Sequence, residues 1–131
     1  MKKLLGILVL SLLLTSCGPR VKVTKLSDIS PDILTKATKV QIFRLDNAQP
    51  KPEIEKHLGE ITAYSCKHMI WDPPASKGNA LTQLKVRAVE LGANGVIDIT
   101  FDYYSSGTDT LGTNCWESIQ ASGTAVKFEV K

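Results

Sequence analysis

The chain is poor in the residues that catalysis draws on. It has two histidines, His57 and His68, and three cysteines in 131 residues. It contains no GxSxG elbow, no HExxH helix and no phosphate-binding glycine loop. These absences argue against the hydrolase, metalloprotease and nucleotide-binding classes, and no catalytic activity or cofactor is expected. A thiol nucleophile would need Cys66 or Cys115 reduced beside a histidine, and only Cys66-Lys67-His68 has that composition. No run of lysine or arginine forms a basic patch, and the formal charge is only +3, so nucleic acid is not an expected partner. No apolar run is long enough to cross a bilayer. The longest, Leu4 to Leu14, is about half the roughly 20 residues a spanning helix needs.

That short run is nevertheless the most informative stretch. It follows Lys2 and Lys3 and ends in Leu14-Thr15-Ser16-Cys17. A basic start, a short apolar centre and small residues at the end describe an export signal. The cysteine that follows at once resembles the bacterial lipobox, in which the thiol receives a diacylglyceryl group and cleavage falls before it. The expected organisation is a lipoprotein signal peptide at 1–16, a lipidated N-terminus and flexible tether at 17–38, and a globular domain at 39–131. Cys17 is the expected lipidation (palmitate) site. Gly18, where a sorting rule for bacterial lipoproteins places Asp for inner-membrane retention, is compatible with the outer membrane. Removing Lys2 and Lys3 leaves a nearly neutral chain.

Assigning Cys17 to lipid leaves Cys66 and Cys115 for an oxidising compartment. A disulfide between them would close a loop of about 50 residues and contribute on the order of 4 kcal/mol. Two free thiols, or half of a metal site completed by His57 and His68, are the alternatives.

Residues 18–38 are polar and irregular, and Pro31 reads as a helix breaker with one turn near Pro31 to Thr35. Val40 to Leu45 reads as a strand. Pro50 and Pro52 argue against a long helix before Lys56, though one turn is expected around Glu53 to His57. Leu58 to Cys66 is a second strand, and Lys67 to Lys77, with Asp72-Pro73-Pro74, is a loop. Leu81, Leu84, Ala88 and Leu91 fall on one face of a helix capped by Ser76 or Asn79 and stopped by Gly92. Asn94-Gly95 turns the chain into a strand that alternates, with Ile97, Ile99 and Phe101 on the helix-facing side and Asp98 facing solvent. Ser105 to Asn114 is a polar loop. Cys115 to Val130 is a long strand or hairpin with an irregularity near Ser122-Gly123. The expected fold is α+β: a small, mostly antiparallel sheet of about four strands with one main helix packed on it and one disulfide. Trp71, beside the Pro73-Pro74 loop, is expected to be exposed, Trp116 to pack in the core, and Trp71 and Tyr103 are the candidate partner-binding aromatics.

Leu58-Gly59-Glu60-Ile61, Cys66, Pro73-Pro74, Gly92-Ala93-Asn94-Gly95-Val96, Cys115 and Gly123-Thr124-Ala125 occur in an order that resembles the outer-membrane lipoprotein sensors of the Rcs envelope-stress phosphorelay, the RcsF-like family. The resemblance implies stress-response signal transduction by contact in the periplasm. Its implied partners are the outer membrane, outer-membrane β-barrel proteins with their assembly machinery, and an inner-membrane regulator of the phosphorelay. It also implies a Cys66–Cys115 disulfide. A second bridge in that family would use the positions of Phe101 and Ala121, where this chain has no cysteine. The long proline-rich tether of that family is here short, with Pro19 and Pro31. The LGAN-V segment also resembles a broader family of small α/β proteins described as heavy-metal binders. A small envelope lipoprotein binding a metal or ligand through the same fold, or a structural envelope protein, are the alternative functions.

Overall fold

A computed structural model describes residues 26–105 and 115–130. The expected signal segment, Cys17, the tether up to residue 25 and most of the polar loop before Cys115 lie outside the described residues. A single 3-10 turn, Leu26–Asp28, leads into helix α1 (Pro31–Thr38), followed by β1 (Gln41–Arg44), β2 (Ile54–Lys67), helix α2 (Lys77–Glu90), β3 (Gly95–Ser105) and β4 (Glu117–Phe128). The sheet has the order β1-β3-β4-β2, with β1 parallel to β3 and the other pairs antiparallel. This is the α+β arrangement expected from the sequence, with Cys66 and Cys115 joined in a disulfide.

Helix α1 replaces the single turn and part of the tether expected before Lys39. Ser30 caps it, its Oγ accepting from the Ile33 N–H at 3.4 Å, and Pro31 occupies the first turn, where its missing N–H costs nothing. Read as a breaker, Pro31 is in fact a starter. Ala37 is buried, α1 packs on α2, and Val40 enters the core, so the packed domain begins ahead of residue 39.

Helix α2 is capped by Ser76, whose Oγ accepts from Asn79 N–H at 3.1 Å. Its end is a Schellman motif: Ala93 N–H donates to Ala88 O at 2.9 Å and Gly92 N–H to Val89 O at 3.0 Å. Gly92 takes the positive φ of 76° that this stop requires. Leu84 and Ala88 are fully buried on the sheet, whereas Leu91, expected on the same face, is the C-cap and stays exposed. The sheet surface below the helix carries Ala63, Ala121, Ala125 and Gly123, whose small side chains let the helix sit close.

β3 departs from simple alternation. Asp98 has φ 55°, and three steps on β3 (Ile97 to Thr100) oppose two on β4 (Thr124 to Ser122). This bulge shifts the parity of the strand. Val96 and Ile99 therefore pack under the helix, while Ile97 joins Phe43, Val126 and Phe128 on the opposite face. Phe43 and Phe128 meet edge to face there, with centroids 5.5 Å apart. Asp98 itself is exposed, as expected. β4 runs unbroken; the irregularity expected at Ser122-Gly123 lies across from it, on β3. β2 is longer than expected because residues 54–57 extend the strand rather than forming a turn. A second bulge falls between His57 and Gly59, where Gly59 has φ 119°.

Candidate functional site

The end of β2 and the loop after it form one side of an open cleft of about 270 Å³. Strand β2 supplies Tyr64, Ser65 and Cys66, the loop supplies His68 and Asp72, and α2 supplies Asn79 and Gln83. The loop is tied down on three sides. Asp72 Oδ2 accepts from Met69 N–H at 2.9 Å, Ser65 Oγ accepts from Ser76 N–H at 3.0 Å, and Glu117 Oε1 accepts from Ala75 N–H at 2.9 Å. Trp116 N–H donates to Lys67 O at 2.6 Å, continuing the β2–β4 ladder past its last residue pair and up to the disulfide.

The lining is rich in acceptors. Asn79 Oδ1 is buried without a hydrogen-bond partner, Asp72 contributes a carboxylate, and Gln83 is a buried amide that lines the cleft from α2. A buried, unmatched carbonyl oxygen costs on the order of 1–3 kcal/mol, which a donor or a cation at that oxygen would recover. Burial raises the Tyr64 phenol above its ordinary value, with a smaller contribution from Tyr104, so Tyr64 is a neutral O–H over the physiological range. A second hollow, formed by Arg44, Lys77, Phe101 and their neighbours, is rimmed by cations that stack on the Phe101 ring at 5.5 and 5.3 Å. Phe101 pairs across the sheet with Ala121, the two positions where the resembled family would place its second bridge.

The sequence-predicted residues divide. Cys66 and His68 share the cleft, but His57 is nine residues from Cys66 on the same strand, roughly 30 Å away at strand rise. The alternative metal site of Cys66, His57 and His68 is therefore not assembled. Both sulfurs are bonded to each other, and among the described residues no three His, Cys, Asp or Glu side chains converge on one point. With the disulfide formed, the described residues do not fit a soft heavy metal, which needs thiolate or imidazole ligands. Trp71 and Tyr103 are exposed at 77% and 63%, and Trp116, expected in the core, is also exposed at 51%. Tyr103 donates to Glu117 Oε2 at 3.1 Å, which raises its phenol above the ordinary value. Asn79, Gln83 and Asp72 were missed as site residues; the available signal was Gln83, a long polar side chain between Ala80 and Leu84 on an otherwise apolar helix face.

Comparison with known proteins corrects the reading of function drawn from the resemblance. A family model described as "Putative heavy-metal-binding" (YbjQ_1) matches residues 52–129. A "UPF0145 protein" of Latilactobacillus sakei subsp. sakei (strain 23K) is 39% identical over 70 residues, which are 53% of this chain and 55% of that protein. The match thus spans little more than half of the relative's length. These findings overturn the assignment to the RcsF-like sensors, and with it the reading as an outer-membrane lipoprotein of Rcs signalling. The β-barrel and inner-membrane partners lose the resemblance on which they stood.

The reason for the misreading is physical. Gly59 forms a bulge, Gly92 ends α2, and Gly95 and Gly123 leave room for Phe128 and Val96. Asn94 brackets β4, its Nδ2 donating to Phe128 O at 3.2 Å and its Oδ1 accepting from Phe128 N–H at 2.6 Å. The motif residues serve the fold, so every protein that shares the fold has use for them, whatever it does. The chain belongs to the YbjQ_1 family of proteins.

Proposed function

We propose that the protein is a non-catalytic binding module, held on a membrane surface outside the cytoplasm by a lipid on Cys17, that takes a small cationic ligand in the cleft at the disulfide end of the sheet. The anchor rests on the sequence pattern from Lys2 to Cys17. Among the described residues, no helix is long and apolar enough to cross a membrane. The observation that carries the binding reading is the buried, partnerless Asn79 Oδ1 among the acceptors of the cleft. A metal ion or an organic ammonium supplies what that oxygen lacks. The family's description, which concerns metals, points the same way.

The ligand class follows from the lining. Oxygen acceptors from an amide and a carboxylate favour harder cations over soft ones. His68, on the loop side of the cleft, adds an imidazole. Calorimetric titration of the full, disulfide-bonded chain with calcium, manganese, zinc and a methylammonium salt tests the reading. One ion or ammonium bound per chain, with binding lost in Asn79→Leu and in Asp72→Ala, is the expected outcome. No heat from any of the four, or binding unchanged in both variants, overturns it.

A further inference from the structure

We propose that the turn Met69-Ile70-Trp71-Asp72 is a membrane-touching tip, whose Ile70 and Trp71 side chains enter the head-group layer of a bilayer. The proposal rests on the Cys17 anchor proposed above and adds a second, non-covalent contact to it.

The tip is apolar where turns ordinarily are not. Asp72 N–H donates to Met69 O at 3.0 Å, which closes a four-residue turn with Ile70 and Trp71 at its centre. Turn centres favour Gly, Pro, Asn and Asp. Met69, Ile70 and Trp71 are 51%, 69% and 77% exposed, three large apolar side chains in succession. The fold makes no use of them, since none packs in or against either hydrophobic core cluster of the described residues. Trp116, also exposed, stands at the foot of the turn, its N–H bonded to Lys67 O. A contiguous apolar patch of this kind marks a surface for a partner.

The backbone suits a bilayer surface. Met69 N–H is held by Asp72 Oδ2, and Asp72 N–H by Met69 O. Pro73 and Pro74 have no N–H to lose water. Ala75 N–H is held by Glu117 Oε1 and Ser76 N–H by Ser65 Oγ. Only the N–H groups of Ile70 and Trp71, at the very tip, are left to the wet head-group region. Irregular backbone is excluded from the hydrocarbon core, so the tip stops at the interface. Tryptophan is favoured at that depth, its ring apolar and its N–H turned to water.

The point at which the chain enters the domain selects a bilayer as the partner. Leu26, the first described residue, lines the cleft together with His68, Asp72, Pro73 and Pro74. The chain therefore reaches the domain at the end that carries the turn. Cys17 is nine positions before Leu26, about 30 Å at full extension. A lipid on Cys17 keeps the turn near the membrane at a high effective concentration, where a weak contact is populated.

The test uses the mature lipidated chain carrying Trp116→Phe, which leaves Trp71 as its one tryptophan. It is reconstituted into vesicles of phosphatidylethanolamine and phosphatidylglycerol, with and without brominated acyl chains. The protein is expected to float with the vesicles. Trp71 emission is expected to shift to the blue of water-exposed tryptophan and to be quenched by brominated lipid. Bromine near the head group should quench more than bromine near the chain end. Ile70→Asp, at an exposed position, is expected to keep the circular dichroism spectrum, move the emission back to the red and lose most of the quenching. A chain that floats with Trp71 unquenched overturns the tip and leaves the anchor standing. A chain that does not float removes the anchor and this proposal with it. Quenching unchanged in Ile70→Asp overturns the contact, because proximity alone then accounts for it. A blue shift that bromine does not quench, and that grows with protein density in the bilayer, gives the turn to a second copy of the chain and also overturns it.

Discussion

Replacing both bridging cysteines, Cys66→Ala with Cys115→Ala, measures how far the sheet stands without its covalent tie. The bridge spans 49 positions of sequence. For a loop of that length the chain-entropy relation gives about 14 cal/mol/K, or about 4 kcal/mol at room temperature. In the folded state the ladder from Ile54–Phe128 to Lys67–Glu117 already fixes the two segments. The loss should therefore arise almost wholly from a freer unfolded chain. Urea unfolding followed by far-ultraviolet circular dichroism reads both consequences. The variant should keep the native spectrum in buffer, lose about 4 kcal/mol, and show a steeper urea dependence, because its unfolded state exposes more surface. A loss under about 1 kcal/mol with an unchanged slope would refute the reasoning, since the ladder would then hold the denatured chain as well.

Gly95→Ala drives a methyl group into the Phe128 ring, two of whose carbons lie 2.6 and 3.0 Å from the new atom's position; a loss of about 1–3 kcal/mol in thermal melts, partly restored by Phe128→Leu, is expected. Asp98 sits at φ 55°, so Asp98→Gly should leave stability unchanged or raise it, whereas Asp98→Val should cost about 1–2 kcal/mol, measured by urea unfolding. Tyr64 has its folded pKa raised above the ordinary 10.0 by burial, so its contribution is fully present below pH 10 and is lost as pH rises through the folded value; the stability of the wild type should fall more steeply above pH 10 than that of Tyr64→Phe.

Much of the fold was legible because it is written in local signals. The Leu84 and Ala88 stripe, the Ser76 cap and the Gly92 stop define α2 within one stretch of sequence. Pro31 misled because a proline is tolerated in the first turn of a helix and excluded from the interior, and only the Ser30 cap and the burial of Ala37 decide which applies. The alternation of β3 misled at Asp98, where one inserted residue sends Ile97 to the far face. The cleft was least legible. Its residues come from β2, α2, the loop between them and the turn at Leu26, and their convergence depends on contacts such as Ala75 to Glu117, which are 42 positions apart. The function suggested by the recurring glycines and asparagine failed for the opposite reason, since those residues report the backbone they serve.

The most direct measurement of the central claim is the map of backbone amide shifts as the isotope-labelled, disulfide-bonded chain is titrated with a metal cation. Saturable movement of Ser65, His68, Asp72, Asn79 and Gln83, abolished in Asn79→Leu, is the predicted result. Movement centred on His57 or on the Arg44–Phe101 hollow, or no movement anywhere, would contradict the account.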